Sequence, residues 1–511
     1  MKLTELISTM GIMPDDCQSK DGQSVCNPEI RGIACRAQEI SPGGLFVAVK
    51  GFAADGHDFI GQAVSQGASA VVCEQPADVD VATVTVENSR KALAELAAVF
   101  YGNPSQKMIV IGITGTNGKT TTSYLVESIL AAAGISVGVI GTINYRYGGR
   151  IYDNPVTTPE SVDLQRILAE MHTAGVTHVV MEVSSHALDL YRVHRCHFDL
   201  AVFTNFTQDH LDYHQDMARY WACKRKLFME LLPTSSSRLP LRAVINVAVP
   251  KGLELAREMT LPFMTCGDNH HNDLNPQAAH FDLDGTNARV STPHGGINVS
   301  SPLVGRHNLE NILNAAGVGI ALDIPLDTIA AGIQSLGNVP GRLERISNVH
   351  RRYVYVDYAH TPDALESSLL ALRALTADRI ICVFGCGGDR DRAKRPEMGG
   401  IAARLSDLAV VTSDNPRTEP PLQIIEEIVA GVRLACDLQY APEELKRGFK
   451  AKGYTVIADR REAIAMAVSV SRPGDTVLIA GKGHEPYQLI GREKFPFDDR
   501  LEAEKALAGL R

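Results

Sequence analysis

The sequence predicts a multidomain α/β protein whose sheets are mostly parallel, on three observations. The chain has 511 residues, too many for one ordinary core and enough for about three domains. Short, nearly continuous apolar runs such as Val179-Val180-Met181 end in polar residues, as strands buried on both faces do when they carry a site at their tips. Finally, Met108-Ile109-Val110-Ile111 leads into Thr114-Gly115-Thr116-Asn117-Gly118-Lys119-Thr120-Thr121, which reads as a strand, a phosphate-binding loop and the start of a helix.

The elements fall into three blocks. In residues 1–104, 45–49 and 68–72 read as strands, 59–67 as a short helix and 90–101 as a longer one, stopped by Gly102-Asn103-Pro104. In residues 105–339 the strand before the phosphate loop is followed by apolar strands at 177–183 and 200–205. In residues 340–511, which open near Pro340-Gly341-Arg342, strands are expected at 353–357, 380–385, 408–412 and 476–481. There is no short-period repeat and no long low-complexity segment.

Composition narrows the function. A hydrophobic fraction of 45% and a charged fraction of 21% belong to a globular chain that needs no disulfides to bury its cores. A net charge of −9 argues against a nucleic-acid binder with a broad basic surface and leaves room for a local basic pocket that takes a small anion. The ten cysteines are scattered; Cys382 and Cys386 form the nearest pair, with no second pair to complete a zinc site, so reduced structural thiols are expected. The start lacks the layout of a secretory signal and no stretch is long and apolar enough to span a bilayer, which makes the expected location cytoplasmic, without membrane insertion.

The loop at 114–121 points to a nucleoside triphosphate. Its glycines let backbone N–H groups wrap the phosphates, Lys119 reaches the outer phosphates, and Thr120 or Thr121 can hold Mg²⁺. A strict phosphate-loop pattern wants glycine where Ile113 stands, so a plain glycine-rich turn is the competing reading. Other candidates are ambiguous by themselves. Glu182 alone is an exposed strand-end carboxylate. His210 and His214, with Asp209 and Asp212, have the spacing of a transition-metal pair on one helical face, or they belong to a polar loop. Lys224 lies in an amphipathic stretch, residues 220–228, whose basic face solvent would satisfy.

Taken together, Thr114 to Thr121, Glu182-Val183-Ser184-Ser185-His186, Thr204-Asn205, Asp209-His210-Leu211-Asp212-Tyr213-His214, Gly305-Arg306-His307-Asn308, Val356-Asp357-Tyr358-Ala359-His360-Thr361-Pro362 and Gly481-Lys482-Gly483-His484-Glu485 resemble the Mur ligases, ATP-dependent amide-forming enzymes of peptidoglycan precursor synthesis. The likeness runs in order along nearly the whole chain. It implies an N-terminal UDP-sugar-binding domain at 1–104, a central P-loop-type ATP-binding domain at 105–339 and a C-terminal Rossmann-like, amino-acid-binding domain at 340–511. Within the family, Ser413-Asp414-Asn415-Pro416-Arg417 is similar to the signature of the member that adds meso-diaminopimelate to UDP-N-acetylmuramoyl-L-alanyl-D-glutamate.

The resemblance also implies roles. ATP would contact Gly115, Thr116, Asn117, Gly118, Lys119, Thr120 and Thr121, with Asn308 at the adenine and Arg342 and Asp357 closing over the nucleotide; a structural ion pair is the alternative for the last two. Lys119, Glu182, His210 and Lys224 would be catalytic, with Mg²⁺ held by Thr120, Glu182, His210 and Lys224, the lysine acting as a carbamate, N6-carboxylysine. Asp209 and His214 would support the loop. Thr157, Thr158, Ser184 and Arg192 would hold the UDP-muramoyl dipeptide. Diaminopimelate would meet Arg390, Asp414, Asn415, Pro416, Arg417, Gly481 and Glu485: Arg417 and Asn415 read its distal carboxylate and Glu485 its distal ammonium, against the plainer reading of an Asn-Pro turn with an exposed arginine. Departures from the family pattern at Ala34, Cys35, Phe52, Ala53 and Leu190 leave the uridine contacts open. A monomer that meets no nucleic acid is expected. The rivals are a sister ligase adding lysine, which an acidic or apolar residue at position 417 would favour, and a nucleotide-binding relative that has lost its chemistry.

Overall fold

The computed structural model describes residues 1–8, 10–11, 27–51, 54–237 and 239–510; Phe52 and Ala53 lie outside them. The chain divides into two compact units, Met1–Asn275 with Asn311–Gly332, and Pro276–Glu310 with Ile333–Arg511. Among the described residues no helix is long and apolar enough to cross a membrane.

The first unit holds two sheets. Strands Gly32–Ala34, Gly44–Val47, Ala68–Cys73 and Ala82–Thr85 pair in parallel and in chain order. Their side chains alternate between two cores: Leu45, Val47, Ala70 and Val72 face one, Phe46, Val71 and Cys73 the other. Helix Ser89–Phe100, started by an Asn88 side chain that accepts from the Lys91 N–H, packs against helix Ser161–Thr173, and Val162 of that helix enters the N-terminal core. That burial joins the first sheet to the second.

The second sheet has eight strands in the order Phe263–Cys266, Ala243–Asn246, Leu200–Phe203, Ile109–Thr114, His178–Glu182, Val137–Ile140, Asn144–Tyr147 and Arg150–Asp153. The first six run parallel and the last two form an antiparallel edge hairpin. Phe203 pairs with Thr114 and Ile113 with Glu182, so the C-terminal tips of the three central strands lie side by side. This is where ligands sit in open parallel sheets.

The second unit is built on a six-stranded sheet, Glu344–Ile346, Tyr353–Asp357, Thr476–Ala480, Ile380–Phe384, Leu408–Val411 and Gly453–Val456, parallel except at its first strand. Odd and even strand residues separate cleanly: Cys382, Phe384, Leu478 and Ala480 pack on one face, Ile381, Val383, Val477 and Ile479 on the other. Residues 276–310, inside the stretch expected as the central domain, pack with this unit. Leu283 and Val304 enter its core, and the Tyr355 hydroxyl donates to the Leu283 carbonyl at 2.7 Å.

The expected strands and helices form within a few residues of their predicted limits, Ile60–Ser65 being shorter than expected because a 3₁₀ turn, Gly56–Phe59, precedes it. The three-stranded antiparallel sheet Asn275–Asp282, Gly285–Thr292 and Gly295–Ser301 and the hairpin Tyr487–Ile490 with Glu493–Pro496 were not anticipated.

Candidate active site

In the first unit the phosphate loop is fastened to the tip of the neighbouring strand. Asn205 accepts from two loop N–H groups, its carbonyl from Thr116 at 3.0 Å and its Oδ1 from Asn117 at 2.8 Å, while the Thr204 hydroxyl donates to the Asn117 carbonyl at 2.6 Å. Gly115 has φ of 150°, and a Cβ there would lie 1.9 Å from Thr204 Oγ1, so only glycine fits. The Tyr220 and Thr116 hydroxyls are 3.2 Å apart. Helix Lys119–Ala132 then begins, aiming its N-terminus into the loop.

Glu182 is 1% exposed, which removes the reading of a solvated strand-end carboxylate. Its Oε2 accepts from the hydroxyls of Thr120 at 3.0 Å and Thr142 at 2.9 Å, and its Oε1 from the Thr142 N–H at 3.0 Å. Lys224, on helix Met217–Lys226, is 2% exposed instead of lying on a solvated basic face. Its Nζ donates to the Gly115 carbonyl at 2.7 Å, the acceptor that Lys119 Nζ also reaches at 2.9 Å; Lys119 donates as well to the Thr116 carbonyl at 2.8 Å. Burial, then the charge of Lys119, push the Lys224 ammonium well below the usual lysine value. Lys226, two residues on, pairs instead with Asp189 at 3.3 Å.

His210 caps helix Leu211–His214 in a left-handed conformation, φ 53°, and its ring is half exposed, 3.4 Å from Asp209. Its pKa is lowered, first by desolvation and then by nearby cationic groups that include Lys119 and Lys224. His214 is buried, with Nε2 at 2.9 Å from the Ser185 hydroxyl. The His186 ring contacts those of His210, Tyr213 and His214. Among the described residues no three His, Cys, Asp or Glu side chains converge as a metal cluster.

The residues expected at the muramoyl dipeptide adjoin this group. Thr157 Oγ1 is 3.1 Å from Thr142 Oγ1; Thr158 Oγ1 donates to the Glu182 carbonyl at 2.8 Å and accepts from the Ser184 N–H at 3.1 Å; Arg192 donates to the Thr158 carbonyl at 3.2 Å. Glu160 lies between Arg192 at 3.5 Å and Arg90 at 3.4 Å. Ala34 is buried and Leu190 ends helix Ser185–Asp189, while burial and Glu160 raise the Cys35 thiol to about 12. Thr142 was missed as a site residue because a lone threonine carries no spacing signal, and Asn205 and Tyr220, though they lie in stretches quoted from the sequence, were given no role. The repeated bonds to Glu182 and to the loop are what single them out.

The second unit holds Asn308, Arg342, Asp357 and the residues expected at the amino acid. Asp357 Oδ2 accepts from the Leu343 N–H at 2.6 Å and Oδ1 from the Ala359 N–H at 2.9 Å and the Ser368 hydroxyl at 3.2 Å. Burial raises its pKa, and those bonds and Arg342 oppose the rise. The Arg342 guanidinium sits over the Tyr358 ring, and Asn308 Nδ2 donates to the Val304 carbonyl at 2.9 Å.

Asp414, Asn415 and Pro416 are buried, and Arg417 follows with φ of 51°, donating from Nη1 to the Gly388 carbonyl at 2.8 Å. Its backbone is held by hairpin Tyr487–Ile490 with Glu493–Pro496: the Arg417 N–H donates to the Leu489 carbonyl at 3.0 Å and its carbonyl accepts from the Gly491 N–H at 2.7 Å. The Asn415 amide donates to Glu485 Oε2 at 2.8 Å. At Gly481, φ 122°, a Cβ would lie 2.7 Å from Asp414 Oδ2. Arg390 is exposed on the loop beside Gly388 and donates to the Asp389 carbonyl at 3.1 Å. Six of the seven residues expected at the amino acid are therefore buried or half-buried, with Arg390 at the rim. Lys482, quoted as part of a motif and given no role, is fully buried among them.

Three family profiles match in succession: Mur ligase family, catalytic domain, at residues 29–101; Mur ligase middle domain at 113–319; and Mur ligase, glutamate ligase domain, at 341–483. A UDP-N-acetylmuramoyl-L-alanyl-D-glutamate–2,6-diaminopimelate ligase of Geobacter metallireducens is 50% identical over 94% of this chain and 95% of its own. The ligase of the same name from Bacillus licheniformis is 42% identical over the whole of both chains. A solved structure of a ligase of that name aligns with a TM-score of 0.69 at 29% identity, covering 99% of each chain. The MurF ligase of Thermotoga maritima in complex with ADP shares the fold, with a TM-score of 0.62 at 22% identity over 94% of this chain and 98% of that one. With relatives this similar over nearly its full length, the chain belongs to the Mur ligase family.

Proposed function

We propose that the protein joins meso-diaminopimelate by an amide bond to the D-glutamate of UDP-N-acetylmuramoyl-L-alanyl-D-glutamate, using ATP, in the cytoplasmic synthesis of peptidoglycan precursors. The observation that carries this reading is full-length identity to ligases of that name. A carboxylate is a poor acyl donor, so the glutamyl carboxylate takes the γ-phosphoryl group of ATP. The amine attacks the acyl phosphate, a tetrahedral intermediate forms, and phosphate leaves. Such a site must hold an anionic carboxylate beside a triphosphate and neutralise both.

The first unit's residues suit that demand. Loop N–H groups and the helix N-terminus receive the phosphates, and Lys119 follows the charge as it moves to the leaving oxygen. Thr157 is bonded to Thr142 and Thr158 to Glu182, and Ser184 and Arg192 join them through Thr158, which supports an acyl substrate seated next to the phosphates. The buried Glu182 carboxylate and the Thr120 hydroxyl, 3.0 Å apart, are hard oxygen donors that fit Mg²⁺, an ion held by one or two carboxylates plus substrate phosphates. His210 adds a nitrogen donor. The ion would supply charge neutralisation between the phosphate oxygens. Burial biases Lys224 toward the neutral amine, the form that adds to CO₂ with loss of a proton, and a carbamate there would offer oxygen donors.

In the second unit Arg417 offers paired donors to the distal carboxylate of diaminopimelate, and Glu485 an acceptor for its ammonium. Lysine lacks that carboxylate. The test is an ATP-dependent ligation assay with the UDP-muramoyl dipeptide and a panel of amino acids, in wild type and Arg417→Ala. A bond to a charged group contributes about 1.5–3 kcal/mol. The variant should therefore lose about ten- to a hundredfold in kcat/KM for diaminopimelate and narrow its preference over lysine. Equal use of lysine by the wild type would refute the choice of amino acid.

A further inference from the structure

Lys482 is fully buried between two tight glycines. A Cβ at Gly481 would lie 2.7 Å from Asp414 Oδ2, and one at Gly483, φ 53°, 2.7 Å from the Tyr358 Cβ, so the backbone on each side has little freedom. Its Nζ donates to Asn415 Oδ1 at 2.9 Å and to Glu485 Oε2 at 3.2 Å, and it lies 3.6 Å from Asp414 Oδ1, an ion-pair distance beyond hydrogen-bond reach. The plain interpretation is a counter-ion for two carboxylates. A second buried cation is close by, however. Arg460 bonds both oxygens of Asp499, at 2.7 and 2.6 Å, donates to the Ala480 carbonyl, and lies within charge range of Asp414 and Glu485. Arg460 is itself paired with Asp499, so Lys482 supplies charge at this corner and, beyond charge, direction.

An asparagine amide has two faces of opposite polarity, and its neighbours decide which faces where. Asn415 Oδ1 receives the Lys482 ammonium and the Leu489 N–H, both pure donors, so Nδ2 must turn the other way, towards Glu485. One amide hydrogen goes to Glu485 and one is left over. Glu485 in turn has Oε2 occupied by Asn415 and Lys482, which leaves Oε1 to accept. An N–H donor therefore stands next to a carboxylate acceptor. That is the complement of a carboxylate and an ammonium on one carbon, the end group of a free α-amino acid.

We propose that Lys482 is a positioning residue of the amino-acid pocket, orienting the Asn415 amide and selecting the Glu485 oxygen that faces the amino acid's zwitterionic end; this rests on the reading of that pocket given above. Without its ammonium the Leu489 N–H alone holds Asn415 Oδ1 and the Asn415 amide alone holds Glu485 Oε2, so the two side chains lose the cation that ties them together and the donor and acceptor offered to the amino acid are less firmly set.

The experiment is steady-state kinetics of Lys482→Met, which keeps the apolar stem, and of Lys482→Gln, which keeps a shorter donor, varying each of the three substrates. In Lys482→Met, KM for diaminopimelate should rise about tenfold or more, and the ratio of efficiencies for diaminopimelate over lysine should fall. KM for ATP and for the UDP-muramoyl dipeptide should stay within about twofold. Lys482→Gln should lie between this variant and wild type. If the wild type prefers another amino acid, the substrate reading fails, and the selective rise is then required for the preferred one. An unchanged amino-acid KM, a parallel rise for all three substrates, or loss of cooperative folding in both variants would each overturn the proposal.

Discussion

Lys119 and Lys224 converge on one carbonyl, that of Gly115, and two ammonium groups on one acceptor repel. Only Lys224 is walled off from water, so it is the one driven toward the neutral amine. Lys119→Ala removes a cation from the proposed phosphate site. Turnover should fall on the order of a hundredfold or more, with the melting temperature nearly unchanged and its rise on adding ADP abolished; near-normal ligation by the folded variant would refute the ATP site. Lys224→Ala should be almost inactive and partly rescued by short-chain carboxylates, whereas Lys226→Ala, which loses a half-exposed ion pair, should be mild. Equal losses at the two positions would point to a general effect of the basic face. Residues 220–228 read by themselves do not set the two lysines apart; it was the family resemblance that singled out Lys224. Periodicity locates a helix face, but the partner that buries it comes from the distant loop at 114–121. Lys482 escaped notice for a related reason: lysine is usually solvated, and its acceptors come from residues 67 and 68 positions earlier in the chain as well as from its own turn.

At the scale of elements, helices Lys394–Leu405 and Pro421–Arg433 cross at glycines. A Cβ at Gly431 would lie 1.8 Å from the Pro396 carbonyl oxygen and one at Gly399 2.2 Å from that of Ile428, so the backbones approach to a distance no side chain allows. Gly431→Ala should destabilise the protein by about 1–3 kcal/mol, measured by urea unfolding, despite the better helix propensity of alanine; a neutral or stabilising outcome would mean that the helices slide apart freely. These crossings were not readable, because glycine in a helical stretch signals only a weak helix. The parallel strands were readable, since burial on both faces leaves a continuous apolar run such as residues 380–384. Hairpins such as Arg150–Asp153 and Glu493–Pro496, exposed along most of their length, leave no such run and were missed.

For the molecule as a whole, the acid side of the stability curve should carry a histidine signature. Burial, reinforced by Arg342 and Arg500, lowers His484 from 6.5 to about 4. Between those values the unfolded chain binds more protons than the folded one, so stability is full above pH 6.5, falls as the pH drops through the window and levels off below 4. Burial lowers His307 from 6.5 to about 4 as well, so His484→Gln should remove only part of the drop in that window, on the order of 1–3 kcal/mol; an unchanged profile would remove His484 as one of its sources. The fold class and its parallel sheets were legible in the chain, while the packing of residues 276–310 with the C-terminal sheet was not, because it depends on side chains such as Leu283 and Val304 finding a core far along the sequence. Arg417 carries a further consequence, for mutagenesis. With φ of 51° and both backbone groups tied to the hairpin, position 417 charges a steric penalty to every β-branched residue and little to asparagine or glycine. Valine, isoleucine or threonine at this position would therefore strain the backbone as well as remove the guanidinium, so a loss on such a substitution reports more than the missing charge.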